Sequence, residues 1–506
     1  MTVTMREMVL PDDAHDRALL AHVHPSHWIN PTPKGKYNLV VLGAGTAGLV
    51  SAGGTGGLGG KVALIERAMM GGDCLVTGCV PSKAVIRAAR AIYDARSAAS
   101  FGVQWNEPPQ ISFAKAMERM RRLRAEIAPH DSAERFKNEY HADVFIGDGK
   151  FVSHDEIEVA GQRLRFDRAV IATGARAAVP SILGLDAVGY FTNETIFTLT
   201  ELPMRLAVIG AGPIGCELAQ TFRRFGAEVV VLSHTSVLPR EDRDVAALVQ
   251  KQMEREGVEF ILNANIQRAD QRNVAKALIV SQQGTERTVL CDAILVATGR
   301  TPNVDGIGLE SAGVKYSQQG VAVNDRLQTS NPRIYAAGDV CSKYKFTHAA
   351  DAMARNVIAN AFFFGRRKVS ALTIPWCTFT DPEIAHVGIA EAEQSGLAVA
   401  TITQSFDNVD RAILDGTTEG LVRVHYDKKT GKILGGTIVA RHAGEMIGQL
   451  TQAMTIGLKL SALSATIQPY PVQTDALKKI GDAYMRTKLT PMVKTIFQKW
   501  FAWRRR

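Results

Sequence analysis

Five hundred and six residues, at about 100 to 200 per domain, predict roughly three to four folded units rather than one small module. With 46% apolar and 22% charged residues and 44 glycines scattered without a period, the chain is neither disordered nor collagen-like. The net charge of +9 sits mainly in the last 20 residues, where six Lys and Arg stand without an acid; the near-neutral remainder argues against a nucleic-acid-binding face.

Residues 1–36 read as an N-terminal extension. Asp12, Asp13 and Asp16 stand where a signal peptide would need an apolar run, six cysteines are too few for a disulfide scaffold, and no stretch approaches 18 uninterrupted apolar residues. The expected location is therefore the cytoplasm. His15, His22, His24 and His27 have no i, i+4 pair, and Pro11, Pro25, Pro31 and Pro33 break the stretch. A loop packed on the body is expected there rather than a metal site.

An internal repeat follows at an offset of 167 residues: NLVVLGAGTAG at 38 to 48 matches RLAVIGAGPIG at 205 to 215. In each copy an apolar strand enters G-x-G-x-x-G, a helix-length stretch follows, and a second strand closes the unit (61 to 66 and 228 to 233). Each copy predicts a βαβ unit for a dinucleotide. The first two glycines allow a tight turn and close approach of a pyrophosphate, the third lets helix pack on strand, and the helix N-terminus faces the phosphates. Eighteen positions after the third glycine the first copy has Glu66, suited to a ribose hydroxyl and hence to the ADP half of FAD. The second has Ser233, with His234 and Arg240 close behind, which leans toward NADPH over NADH because no carboxylate repels a 2'-phosphate. Six glycines between 53 and 60 are costly in a helix, at on the order of 1 kcal/mol each, and close packing is the expected reason.

Directly after the first unit, GGDCLVTGCVPSK at 71 to 83 holds Cys74, Cys79 and Lys83. Zinc sites of this kind want paired C-x-x-C motifs, and none is present. A cysteine pair beside a flavin-sized site instead suggests a dithiol and disulfide couple. Cys216, Cys291, Cys341 and Cys377 are isolated and read as mostly inert buried thiols.

With these motifs, and with IATGA at 171 to 175, GAGPIGCELA at 210 to 219, VATGRTPN at 296 to 303 and AAGDV at 336 to 340, the chain resembles the pyridine nucleotide-disulfide oxidoreductases over about residues 37 to 486. The resemblance implies an α/β fold with two Rossmann-like domains and a C-terminal α+β dimerisation domain. It divides the chain into an FAD domain at 37–190 and 304–374, an NAD(P) domain at 191–303, a dimerisation domain at 375–486 and a tail at 487–506. It also implies a homodimer. Cys79 would be the charge-transfer thiolate against the flavin and Cys74 the interchange thiol. Lys83 would sit near the flavin paired with Glu217, Asp339 would hold the ribitol, and the helix from Thr347 and His348 would point its positive end at the flavin. The implied cofactor-binding set includes Gly43, Gly45, Thr46, Ala47, Gly48, Glu66, Gly72, Lys83, Thr173 and Gly174 on the first side. On the second side it includes Gly210, Gly212, Ile214, Gly215, Ser233, His234, Arg240, Gly299 and Arg300.

Disulfide reductases of this family carry a His-Pro-Thr-x-x-Glu segment whose histidine serves the substrate thiol. Here the segment reads Tyr470-Pro471-Val472-Gln473-Thr474-Asp475. A phenol of ordinary pKa about 10 is a poor base near neutrality. The placement of Tyr470 and Asp475 resembles the mercuric reductase branch, which implies Hg(II) bound transiently at Cys74 and Cys79 and no structural metal. No cysteine precedes Cys74 and no cysteine pair lies near the C-terminus, which would leave capture of the ion to those two thiols. The alternatives are a dihydrolipoamide dehydrogenase or other disulfide reductase, and a membrane-surface quinone reductase. The last arises from the tail, where Leu489, Met492, Val493, Ile496, Phe497, Trp500 and Phe501 keep helical spacing after Thr490-Pro491. This predicts a basic amphipathic helix, bound either to an anionic membrane at its inner face or to the dimer.

Overall fold

The computed structural model describes residues 4–107, 109–390 and 398–506. The chain divides into two compact units, one formed by Met1–Ser236 and Glu256–Leu372, the other by Val237–Arg255 and Thr373–Arg506.

In the first unit the apolar runs of the sequence become strands buried on both faces, as expected of parallel sheets. A seven-stranded sheet runs Asp143–Ile146, Val62–Glu66, Tyr37–Leu42, Gln162–Ile171, Glu156–Val159, Gly149–Phe151. Its seventh strand, Ile334–Ala336, lies parallel to the second half of Gln162–Ile171, with Ile334 opposite Ala169. Sequence on both sides of the second βαβ unit thus shares one sheet. The second unit of the repeat builds a separate four-stranded parallel sheet, ordered Val258–Ile261, Glu228–Leu232, Arg205–Ile209, Ala293–Val296. Beside it stands an antiparallel sheet of Asn265–Arg272, Ala275–Gln282 and Thr285–Cys291, and the two share a core of Ile209, Leu232, Leu278 and Ile294.

Both glycine turns are forced by backbone. Gly43 and Gly210 adopt φ of +104° and +114°, and a Cβ on Gly48 or Gly215 would overlap the carbonyl oxygen of Gly43 or Gly210. The glycine-rich helix Thr46–Gly56 packs on the helix Thr347–Phe362, where a Cβ on Gly54 would lie 2.6 Å from Ile358 Cδ1. A Cβ on Gly56 would strike the Tyr140 carbonyl. Close packing therefore accounts for these two glycines.

The extension departs from the loop expected of it. Ala14–Val23 is a helix, with the Asp13 side chain capping it by accepting from His15 and Asp16 N–H. Pro11 and Pro25 bracket the helix without entering it, and Leu19 and Val23 bury its inner face completely. Downstream, Trp28 Nε1 donates to the Val144 carbonyl at 3.0 Å, and Asn30 exchanges two hydrogen bonds with Ile146, fastening the segment to the edge strand.

The second unit is built on a five-stranded antiparallel sheet, ordered Pro375–Thr378, Glu383–Gly388, Ile433–Ala440, Leu421–Asp427, Val399–Ser405. Helices Ala443–Thr455 and Asp475–Thr487 contribute Met446, Leu450, Leu477 and Ile480 to its core. The tail forms the helix Pro491–Arg504, with the Thr490 hydroxyl accepting from Val493 N–H. Among the described residues no helix is long and apolar enough to cross a membrane.

Candidate active site

The redox motif is held against the first glycine turn. Gly71 and Gly72 take φ of +85° and +57°, which places Gly72 so close to Gly45 that a Cβ on Gly72 would lie 2.8 Å from Gly45 Cα. Gly71 N–H donates to the Ala44 carbonyl at 2.9 Å. From this bend the short helix Gly72–Val76 carries Cys74, and the long helix Cys79–Ser97 begins on Cys79 itself. Both cysteines are free thiols, Cys74 half-buried and Cys79 on the exposed rim.

The two thiols are electrostatically unlike. The neighbouring Cys74 thiol, the Thr347 hydroxyl at 3.3 Å and the Lys83 charge together lower Cys79 to about 6, against partial desolvation. Its place at a helix N-terminus acts in the same direction. Cys74 moves upward, because it lies beside the Cys79 thiolate and is partly shielded from water. At neutral pH the pair is therefore a Cys79 thiolate beside a Cys74 thiol. Thr347 begins the helix Thr347–Phe362, and His348 stacks on Phe346 at 5.5 Å.

Lys83 lies one turn beyond Cys79, and its Nζ donates to Glu217 Oε2 at 2.9 Å. Glu217 is buried on the helix Pro213–Phe225 that leaves the second glycine turn. The redox helix is thus tied to the second copy of the repeat.

Arg300 is clamped between carboxylates, 3.0 Å from Asp73 and 3.4 Å from Asp339. Asp73 also accepts from Thr77 Oγ1 at 2.8 Å and Asn193 Nδ2 at 2.9 Å. Burial pushes the Asp339 and Glu194 carboxyls up. Asp73 and Asn193 were not among the residues expected from sequence; the position of Asp73 directly before Cys74 was the available signal.

The segments 171–175 and 296–303 brace each other. Thr173 Oγ1 donates to the Asn303 carbonyl at 2.7 Å, Asn303 N–H donates to Gly174, and Ala178 N–H donates to Gly299. Gly174 and Gly299 have φ of +66° and +132°. Glu66 is buried, with one carboxylate oxygen accepting from Ala44 N–H at 2.7 Å and the other from Ala68 N–H at 2.8 Å. It stiffens the glycine turn, and burial raises its carboxyl. Thr46 and Ala47 open the first helix behind Gly45, and Ile214 lies in the first turn behind Gly212. Ser233 is buried and accepts from Thr235 N–H at 3.1 Å, while His234 is exposed. Arg240 is exposed and belongs to the other unit.

That unit also holds Tyr470 and Asp475. The Tyr470 hydroxyl donates to Asp410 Oδ2 at 2.6 Å, which raises the phenol above its ordinary value. Asp475 starts the helix Asp475–Thr487 and faces Lys479 at 3.7 Å. Burial holds the Cys291 thiol at about 11 and Cys341 at about 12, so both stay protonated.

The two middle glycines test whether dinucleotides fit. A Cβ on Gly212 would meet nothing within 4 Å, and one on Gly45 only Gly72 Cα at 3.9 Å, although the flanking glycines are packed against backbone. The helix N-termini thus open onto free space lined by N–H groups, the donor set a pyrophosphate needs. FAD on the first turn and a nicotinamide nucleotide on the second fit these residues.

Comparison with known proteins gives the same picture. Residues 37–354 match the family described as pyridine nucleotide-disulphide oxidoreductase, and residues 374–480 match its dimerisation domain. The mercuric reductase of Lysinibacillus sphaericus is 34% identical over 446 residues, covering 87% of this chain and 81% of that protein. The dihydrolipoyl dehydrogenase of Thermus scotoductus is 32% identical over 464 residues, covering 88% and 97%. The Cu(II) complex of the HOCl-induced flavoprotein disulfide reductase RclA of Escherichia coli superimposes with a TM-score of 0.79 at 28% identity, covering 89% of this chain and all of that one.

Proposed function

The chain belongs to the pyridine nucleotide-disulphide oxidoreductase family, an FAD- and NAD(P)H-dependent group of enzymes, and on that ground we propose that it passes electrons from NADPH to a thiophilic metal ion, Hg(II) being the leading acceptor. Bound FAD supplies the two-electron relay between the nicotinamide and the thiol pair. Cys79 holds its negative charge beside the Lys83 ammonium and the Thr347 hydroxyl. Cys74 keeps its proton until acceptor arrives and then releases it, so that two thiolates ligate the ion. Two electrons reduce Hg(II) to Hg(0) as one NADPH is oxidised.

The observation that carries this acceptor is Tyr470. A phenol held as a donor by Asp410 and raised above its ordinary value cannot take a proton from a substrate thiol near neutrality. A soft cation on thiolates asks for no such base. Within this proposal the FAD-binding halves are 37–190 and 304–374, the NAD(P) domain is 191–303, the dimerisation domain is 375–486, and two copies of the chain form a cytoplasmic homodimer. Ser233, without a carboxylate, supports NADPH.

The test is steady-state oxidation of NADPH and NADH by purified holoenzyme with Hg(II) and excess thiol, lipoamide, glutathione disulfide and a short-chain quinone. Hg(II) should give the highest turnover, Tyr470→Phe should lower it if the phenol assists the metal, and Tyr470→His should raise disulfide reduction. No stimulation by Hg(II) in any thiol buffer would sink the metal reading. The dihydrolipoyl dehydrogenase relative and the disulfide reductase structure favour lipoamide or another disulfide as the second reading.

The tail supports a third reading, a quinone reductase at an anionic membrane. Met492, Ile496, Phe497, Trp500, Phe501 and Trp503 are exposed on a helix that carries three positive charges and is flanked by three more. Each charge adds roughly 1 kcal/mol near an anionic leaflet, and apolar burial adds about 25 cal/mol per Å². Vesicle sedimentation of the full chain and of a version ending at Arg486 tests it; equal partitioning of the two removes the membrane.

A further inference from the structure

Two pairs of opposite charges join the N-terminal helix to the body of the first unit. Asp13 and Asp16, three residues apart, face Arg121 and Arg124, three residues apart on the helix Phe113–Ile127. Arg121 Nε lies 2.6 Å from Asp13 Oδ2, and Arg124 Nη2 lies 2.7 Å from Asp16 Oδ1. Arg124 directs its other terminal nitrogen to the Val76 carbonyl at 2.8 Å. Val76 is the last residue of the short helix that carries Cys74, and three residues later Cys79 opens the next. The backbone adds a second tie on the near side of the motif, where Met70 N–H donates to the Val23 carbonyl at 3.0 Å and His24 Nδ1 meets the Ala68 carbonyl.

The burial of this link is extreme: Asp16 is 0% and Arg124 1% exposed. Taking two such ions out of water costs several kcal/mol each, and the pair recovers this only when every polar atom is satisfied. Here Asp16 Oδ2, Arg124 Nε and Arg121 Nη1 are buried without a hydrogen-bond partner among the described residues. Apolar residues would fasten the helix at lower cost, and Leu19 and Val23, both fully buried, already do so. An apolar pair cannot donate to a carbonyl at a fixed distance. The guanidinium can, and its fork holds carboxylate and carbonyl in one plane.

We propose that Asp16 is a positioning residue of the redox centre: through Arg124 it fixes the Val76 carbonyl, and with it the end of the short helix that carries Cys74, in its place beside the helix that Cys79 opens. The extension is on this view a part of the catalytic apparatus that touches neither substrate nor cofactor. Releasing Val76 lets the Cys74 helix shift relative to Cys79, which changes the polar surroundings of the Cys79 thiolate and so its reactivity. The proposal rests on Cys74 and Cys79 being the redox pair. That reading fails separately, if Cys74→Ser retains wild-type turnover.

The experiment is alkylation of the reduced FAD-loaded enzyme by iodoacetamide, followed at each cysteine by mass spectrometry across the titration of Cys79, so no acceptor is needed. Asp16→Asn leaves the guanidinium without its counter-charge, and Arg124→Lys cannot reach carboxylate and carbonyl together. Both should slow Cys79 alkylation about threefold at about pH 5, on the acid side of its titration where rate follows the thiolate fraction, equivalent to a shift of about half a unit. Leu19→Ala loosens the same helix without touching the link; it should lower Tm and leave the alkylation profile unchanged. The double variant Asp16→Asn, Arg124→Met removes both charges. It should regain the Tm lost by Asp16→Asn yet keep the altered profile, because the Val76 carbonyl still lacks its donor; it also decides the matter if either single variant fails to fold. A profile shifted as much by Leu19→Ala as by Asp16→Asn at equal loss of Tm, or a wild-type profile in the double variant, would overturn the proposal.

Discussion

The two glycine-turn units are alike wherever backbone meets backbone and unlike wherever a side chain can speak. In both, the first glycine has positive φ beneath a carbonyl of a neighbouring strand, the third abuts the first, and the middle one faces open space. The first turn, however, is braced by a buried Glu66 and pressed against Gly72 of the thiol motif, whereas in the second copy Ser233 follows the strand and the unit lends Glu217 to the redox helix. One frame was thus used twice, and chemistry was added to one copy through a single bend after its second strand.

The sharpest break of this comparison is at the thiols. Cys79→Ser should lower turnover by on the order of a thousandfold or more, since the nucleophilic thiolate is lost. Cys216→Ser, in the helix of the second copy, should leave turnover within a few fold. Two-electron reduction of the holoenzyme should give a long-wavelength thiolate-to-flavin absorption band that Cys79→Ser removes and Cys74→Ser keeps; a band surviving in Cys79→Ser would reverse the two roles. The same band should fade as pH falls through about 6, where Cys79 takes up its proton. Because the folded value lies below the ordinary 9.0, the thiolate's contribution to stability is complete above about pH 9 and is lost as pH falls through about 6. Denaturant titrations of reduced enzyme at several pH values check that sign.

Smaller effects are expected at the glycines, and they differ by position rather than by copy. Gly48→Ala and Gly215→Ala place a methyl group on a carbonyl oxygen and should each cost about 1 to 3 kcal/mol or more in unfolding free energy. Gly45→Ala and Gly212→Ala meet no protein atom closer than 3.9 Å, so stability without nucleotide should hold. Gly45→Ala should instead release FAD on dilution, and Gly212→Ala should raise KM for the nicotinamide nucleotide about tenfold. Equal losses of stability at all four sites would remove the distinction between glycines that serve the fold and glycines that serve the ligand.

The smallest expected effect sharpens the difference at the strand ends. Ser233→Glu should move the ratio of kcat/KM values toward NADH by about tenfold, roughly 1.4 kcal/mol, through repulsion of a 2'-phosphate. A wild-type enzyme with clearly higher kcat/KM for NADH than for NADPH would refute the preference itself.

Much of the site was legible in the chain because its parts are local. A glycine turn, a cysteine pair five residues apart and a strand ending in Glu66 are each set by a few consecutive residues. In one dimension the extension looks like a loop because its prolines are local breakers, yet the helix between them is stabilised by burial of Leu19 and Val23 against residues about a hundred positions away. Asp73 and Asn193 escaped notice for a similar reason. Their carboxylate and amide matter only because folding brings residues 73, 193 and 300 together.

By itself, the sequence determined the two βαβ units, the thiol motif between them and the family to which they point, since backbone sterics and strand periodicity act over a dozen residues or fewer. What tertiary structure adds at the thiols is the convergence of Thr347 and Lys83 on Cys79, which favours charge on the thiol that the family resemblance already implied. Tertiary structure also decided that residues 12–30 belong to the first unit, fastened by the buried side chains of Asp16, Leu19 and Val23, while the apolar face of Pro491–Arg504 stays exposed. Both segments look amphipathic or interrupted in one dimension. Only the presence or absence of a complementary surface in three dimensions tells a structural helix from one left open to a partner.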